Sequence, residues 1–206
     1  MASENILSDM SGKLSGIQSI NTNPLSNQYC ERMSMDQSCI CSKCYSVLML
    51  KQYRRNMIPK LQYNSDLLSK SLLPASTLKR LTPIKSGTKV FRFHSHGELI
   101  NVTHLRNFIA ICDLYPDITF ALWTKRSGLV YSVYEEIPDN VILVYSNPEI
   151  NNPLKEMPKF DKVFNVVTMN YAENYNIKIN CGAKKCSKCM QCYTKGGVSV
   201  INELLK

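Results

Sequence analysis

No apolar run in this 206-residue sequence approaches the length of a membrane span, and no low-complexity tract marks it as disordered or fibrous. The opening Met-Ala-Ser-Glu-Asn-Ile-Leu lacks the basic and apolar regions of a signal peptide, so the chain is expected in the cytoplasm, without a membrane partner. Structural disulfides are rare in that compartment, which argues against pairing as the role of the nine cysteines. Basic residues are present, but neither a helix-turn-helix nor an aromatic-rich RNA-binding motif accompanies them. Neither cysteine group contains the two separated C-x2-C knuckles usual in a structural zinc site.

The composition is that of an ordinary globular protein, 44% hydrophobic and 20% charged, and the length suits one domain over residues 1–206. The formal net charge is +9 with neutral thiols. Eight thiolates on two cubane cores would contribute about −4 and leave roughly +5. Such an excess is compatible with nucleic acid, an anionic cofactor or an acidic partner, and selects none of them.

Eight of the nine cysteines form two tight groups. The first, in a loop over residues 30–44, is Cys30, Cys39, Cys41 and Cys44; the second, over residues 181–192, is Cys181, Cys186, Cys189 and Cys192. Short connectors cost little entropy to close, so each set can converge on one soft metal centre. The second reads C-x4-C-x2-C-x2-C, which combines spacings found in cluster-binding ferredoxins. Iron–sulfur clusters of [4Fe-4S] type are therefore the expected cofactors, with zinc as the alternative. Three ligands in the first group would leave an iron open to substrate, and four would close it. Lys184, Lys185, Lys188 and Lys195 crowd the second group, where they would offset thiolate charge. Cys112 falls on the apolar face of a helix and reads as a core thiol.

Between the groups the sequence alternates strands and helices. Residues 16–24 suggest a short strand entering the first cysteine loop, and residues 45–71 a helical region broken or kinked at Pro59. Its basic residues Lys51, Arg54, Arg55 and Lys60 read as a solvated face. Strands are expected over residues 89–94, 118–123, 141–145 and 162–167. Helices are expected from Val102, capped by Asn101, and over residues 130–136. Polar residues after Thr168 lead through a loop-rich tail to a short helix near 198–205. Near-continuous apolar strands spaced by helices predict an α/β fold with a parallel sheet of repeated βα units, compatible with a small or partial TIM-like barrel.

Ligands of α/β proteins bind at the carboxyl ends of parallel strands. The candidates there are the His94-Ser95-His96-Gly97-Glu98 turn, Trp123-Thr124-Lys125 and Tyr145-Ser146-Asn147. His96, Gly97 and Glu98 are the expected cofactor contacts, and no catalytic residue is assigned.

Several stretches resemble the phage gene product 88 family in order and content. They are Cys44-Tyr45-Ser46, Tyr63-Asn64 with Leu67 and Leu68, residues 90–98, Tyr115-Pro116-Asp117, Trp123-Thr124-Lys125, and Cys181 through Tyr193. The resemblance covers most of the chain and implies a phage origin, hence the host cytoplasm, and metal-binding cysteines; it implies no activity. A weaker similarity is to radical S-adenosylmethionine enzymes, in which a cysteine loop precedes a helix and a Gly-Gly-Glu turn holds the cofactor. Here the order is kept, but C-x3-C-x2-C is absent and His96 replaces the first glycine.

The leading expectation is an iron–sulfur protein with two clusters, serving electron transfer to an unidentified redox partner or a radical-type oxidoreductase on a small-molecule substrate. The alternative is a zinc-stapled basic module that binds nucleic acid or a host protein. A third is that the centres only hold the fold together.

Overall fold

The near-continuous apolar segments of the middle of the chain lie side by side in a seven-stranded sheet, in a computed structural model that describes residues 5–205. Residues 1–4, which open the segment read for targeting, and Lys206 lie outside the described residues. The strands are β1 (Leu7–Asp9), β2 (Gln18–Ile20), β3 (Val90–Phe93), β4 (Thr119–Thr124), β5 (Val141–Ile150), β6 (Lys162–Val167) and β7 (Val200–Leu204), and they occur in that order across the sheet. β1 runs antiparallel to β2, and every later pair is parallel. The sheet is open, with β1 and β7 as edges, and is not closed into a barrel.

Sequential order has a consequence for layering. Right-handed crossovers that all step in one direction keep their helices on one face. That face carries Ile20, Phe91, Phe93, Phe120, Leu122, Val141 and Leu143, packed against Leu68 of α3 (Ile58–Lys70), Leu78 and Leu81 of α4 (Ala75–Leu81), Phe108 of α5 (Val102–Leu114) and Val130 of α6 (Ser127–Ser132). Phe93 stacks on Phe108 at 4.0 Å and on Phe120 at 5.3 Å. The alternate residues Ala121, Trp123, Ile142, Val144, Phe164 and Ile201 face the other way. They are covered by the second cysteine segment, through Cys181, Cys186, Met190, Cys192 and Tyr193. The sheet coils enough for Lys13, between β1 and β2 at one edge, to reach Glu203 of β7 at the other, 3.0 Å away.

Three sequence expectations are corrected. Residues 198–205 hold β7 (Val200–Leu204) rather than a helix: the apolar spacing of Val198, Ile201 and Leu205 suits a helix, but ladder pairing with β6 decides the outcome. The region 45–71 is two helices, α2 (Tyr45–Gln52) and α3, joined by a 3-10 turn, and Pro59 sits in the first turn of α3, where its missing N–H costs nothing. The polar stretch after Thr168 begins with a helix, α7 (Met169–Asn174), capped by the Thr168 hydroxyl. Asn101 caps α5 as expected, accepting from His104 N at 2.9 Å, and Cys112 is buried.

Gly97 lies at φ +87°, and a Cβ there would overlap both the hydroxyl and the carbonyl of Thr22 at the end of β2. Gly97→Ala should therefore cost about 2–5 kcal/mol, the sum of left-handed strain and a backbone clash. Urea unfolding reads this as a lower midpoint at unchanged slope. A loss below about 1 kcal/mol would mean that the turn relaxes freely.

Candidate metal centres

The carboxyl ends of β2 to β5 form a rim tied together by buried polar groups. Asn21 follows β2, and its side-chain oxygen accepts from the N–H groups of Ser95 and His96, at 2.9 and 3.0 Å. Those bonds turn the chain sharply after β3, where His94 takes a left-handed conformation at φ +62°. Glu98 closes the turn onto β4. Its carboxylate accepts from Leu99 N at 2.8 Å, the Thr124 hydroxyl at 2.6 Å and Lys125 N at 2.8 Å.

The same turn anchors the first cysteine loop at both ends. Asn27 donates to the Glu98 carbonyl at 3.1 Å and caps α1 (Gln28–Ser34) by accepting from Tyr29 N, one residue before Cys30. Directly after Cys44, the Tyr45 hydroxyl donates to the Ser95 carbonyl at 2.8 Å, and the Ser46 hydroxyl pairs with Nδ1 of His96 at 2.9 Å. A third attachment joins the loop to the irregular end of β5, where Cys39 bridges Glu149 and Ile150 N donates to the Ser38 carbonyl. His96, Gly97 and Glu98, expected as cofactor contacts, all make these internal connections. Burial lowers the pKa of His94 and of His96 to about 4, so both rings are neutral near pH 7.

The loop gathers its thiols around Lys125. Cys30, Cys41 and Cys44 are half-buried, and the Lys125 ammonium donates to the Ser146 hydroxyl at 3.0 Å. Burial disfavours that ammonium, yet Cys41, Glu98, Cys44 and Cys30 around it raise its pKa overall. Burial, with Glu98 and Cys44 adding to it, pushes the Cys30 thiol up to about 12. Cys39 differs from the other three. It is fully buried and caps the 3-10 turn Ile40–Lys43, where its sulfur accepts from Cys41 N at 3.3 Å, and hydrogen bonding from Cys41 holds its thiol down.

The second group lies against the helix-free face of the sheet. Cys181 N donates to the Asn202 carbonyl at 3.1 Å, and α8 (Cys186–Cys189) presents the next two cysteines before a left-handed turn at Met190. Lys13 reaches Cys181 Sγ at 3.2 Å as well as Glu203. Burial pushes Cys192 up to about 12; Arg92 opposes this, while Cys181, Cys186 and Cys189 add to it. Lys162, buried on β6, donates to the carbonyls of Gly196 and Val198 at 3.0 and 2.9 Å and holds the following loop to the sheet. Lys184, Lys185, Lys188 and Lys195 are all exposed. The positive charge beside the sulfurs comes instead from Lys13 and Arg92. Arg92 was legible as the one charge in Val-Phe-Arg-Phe, on the opposite face from Phe91 and Phe93; Lys13 carried no such signal.

All nine cysteines are free thiols. Among the described residues, no three His, Cys, Asp or Glu side chains are close enough to hold one metal ion. A tetrahedral zinc at about 2.3 Å from each sulfur needs thiols roughly 3.8 Å apart. A multi-iron cluster spreads its thiolates over a wider cage and is a softer, anionic group. By donor chemistry, soft sulfur with cations beside it, the two four-thiol sets suit such a group.

A profile of the Gene product 88 family matches residues 7–203, from β1 to β7. The chain belongs to this family. No curated protein and no solved structure matches it, and no likeness to radical S-adenosylmethionine enzymes is shown. In this Gene product 88 chain, no described helix is long and apolar enough to cross a membrane. A groove of about 520 Å³ lies away from both cysteine groups, lined by Asp9, Gln18, Lys60 and Lys85 among others. Its lysines are already paired, Lys60 with the Leu7 carbonyl and Lys85 with Asp9.

The rim bonds make a test of Glu98 as a staple. Glu98→Gln replaces one accepting oxygen by a donor and should cost about 2–3 kcal/mol. Alkylation of Cys30, Cys41 and Cys44 should accelerate, with Cys181 to Cys192 unchanged. Wild-type stability and wild-type thiol reactivity together would remove Glu98 from this role.

Proposed function

We propose that this chain is an iron–sulfur protein with two cysteine-held clusters, one over the rim of strand ends and one on the helix-free face of the sheet. The observation that carries the reading is that each four-thiol set lies buried or half-buried against the fold beside inward cations, Lys125 for the first and Lys13 with Arg92 for the second. A thiolate-ligated cluster is an anion of soft ligands, and such cations lower the cost of burying it. When bound, clusters of this type supply one-electron transfer at a potential set by their surroundings.

The chain's own residues give the two sites different settings. The rim site lies beside the ends of β3, β4 and β5, where α/β proteins meet small ligands, so it is the place for a substrate or S-adenosylmethionine. Cys39 accepts an N–H bond from Cys41, which a ligating thiolate also does, so it stays with Cys30, Cys41 and Cys44 in the ligand set of that site. The second site is packed against Trp123 and Phe164 and suits a relay to an external donor. Thiol ligation of this kind belongs to a reducing compartment such as the host cytoplasm. The zinc-stapled module has less support. Of the residues it would use, Lys51, Arg54, Arg55 and the basic tail, Arg55 already bonds the Lys51 carbonyl at 2.8 Å.

The test is iron, acid-labile sulfide and zinc per chain after anaerobic purification. About eight iron and eight sulfide are expected, falling to about four of each when either the pair Cys186 and Cys189 or the pair Cys41 and Cys44 is changed to Ser, and to none when both pairs are. About two zinc with no sulfide would replace this reading with the stapled module, and binding to DNA or RNA at low salt would then be measured. If the reduced rim cluster changes its spectrum on adding S-adenosylmethionine, the rim site is the cofactor site; no change would leave electron transfer.

A further inference from the structure

The helix-free face holds two buried donors without acceptors. Trp123 is 9% exposed and Tyr193 is 4% exposed; Nε1 of the indole has no partner, and the tyrosine hydroxyl meets the Arg92 guanidinium, itself a donor, so neither the N–H nor the O–H has an acceptor. Leaving a donor unpaired in the interior costs about 1–3 kcal/mol, so two together on one small face call for a shared acceptor. Both residues pack in one cluster with Cys181, Cys186 and Cys192. Arg92 completes the set. Its guanidinium lies 4.0 Å from the centre of the Trp123 ring, and Phe164 meets that ring at 4.6 Å, so the indole is held firmly.

Resting on the two-cluster reading, we propose that Trp123, Tyr193 and Arg92 are positioning residues that hydrogen-bond and charge-compensate a sulfur-rich anionic centre on Cys181, Cys186, Cys189 and Cys192, and so set its reduction potential. An inorganic sulfide or a thiolate sulfur is the kind of acceptor these donors lack. N–H and O–H donors stabilise the reduced centre more than the oxidised one, because it carries one more negative charge. They therefore raise the potential. Arg92 acts in the same direction through its charge, and it works at short range because the site is shielded from water. The exposed lysines nearby are screened and contribute little.

Trp123→Phe and Tyr193→Phe remove one donor each and keep an aromatic body, while Arg92→Met removes the charge and Arg92→Lys keeps it. Each is made in the full-length chain carrying Cys41→Ser and Cys44→Ser, so that one cluster titrates. Iron, sulfide and a thermal melt are measured first, and then the potential by dye-mediated titration. Each single donor loss should make reduction about tenfold less favourable, a fall of about 59 mV for one electron. Arg92→Met should fall further, Arg92→Lys should recover part of the loss, and Lys184→Gln should stay at the parent value. Parent iron and sulfide with unmoved potentials in the Phe variants and Arg92→Met would overturn the donor set. Absence of iron and sulfide from the parent chain would overturn the cluster reading beneath it.

Discussion

The rim of this fold depends on one buried carboxylate. Glu98 accepts three hydrogen bonds across the gap between the ends of β3 and β4, and its carbonyl takes a fourth from Asn27. Those bonds fix the main chain at Lys125, and from there the ammonium reaches the first thiols. They also fix the start of α1, and with it Cys30. Hydrogen bonds to a carboxylate are stronger than those between neutral groups. The site residues thus hang on a group that is itself fully engaged. This is why the His96-Gly97-Glu98 turn serves as scaffold: its polar atoms are directed at the chain, and Gly97 is a close contact with Thr22.

Sequential strand order sets the second constraint. A sheet wound in one direction buries one face under helices and leaves the other bare. A bare face with Trp123, Ile142, Val144 and Phe164 would be a large apolar patch in water. The chain covers it with a segment too short and too polar to make a helical layer, so cysteine, methionine and tyrosine side chains provide the cover. Lys13 bonded to both Cys181 and Glu203 then joins the β1–β2 end to the β7 edge without a ladder. A metal cluster there would act as core as well as cofactor, since its ligands are the residues that fill the space.

The parallel sheet was legible because its central strands are apolar on both faces, a pattern that Val-Ile-Leu-Val-Tyr shows without help from context. Two edge strands were not. β1 has three residues, too few for any period to show, and β7 carries an apolar spacing that a helix shares until β6 supplies a partner. The sites were legible in part. Thiol spacing marked all eight cysteines, and strand-end reasoning brought His94–Glu98, Trp123–Lys125 and Tyr145–Asn147 to neighbouring positions, as the register of β3, β4 and β5 shows. Spacing could not find the cations: Lys13 acts on Cys181, 168 residues away in sequence, and Lys125 on thiols across a rim, and only the fold makes them neighbours. The lysines closest in sequence to the second group were the wrong ones, because a short loop turns them to water.

Arg92 sits where these constraints meet. From β3 it faces the second thiol set, where its charge opposes the burial that pushes the Cys186 and Cys192 thiols up, and the same charge also acts on Tyr45 and His96, which anchor the first loop. One half-buried cation therefore acts electrostatically on residues of both cysteine regions. A change of charge at either set alters the field in which the other sits, through a residue held by the Trp123 ring and too rigid to move away.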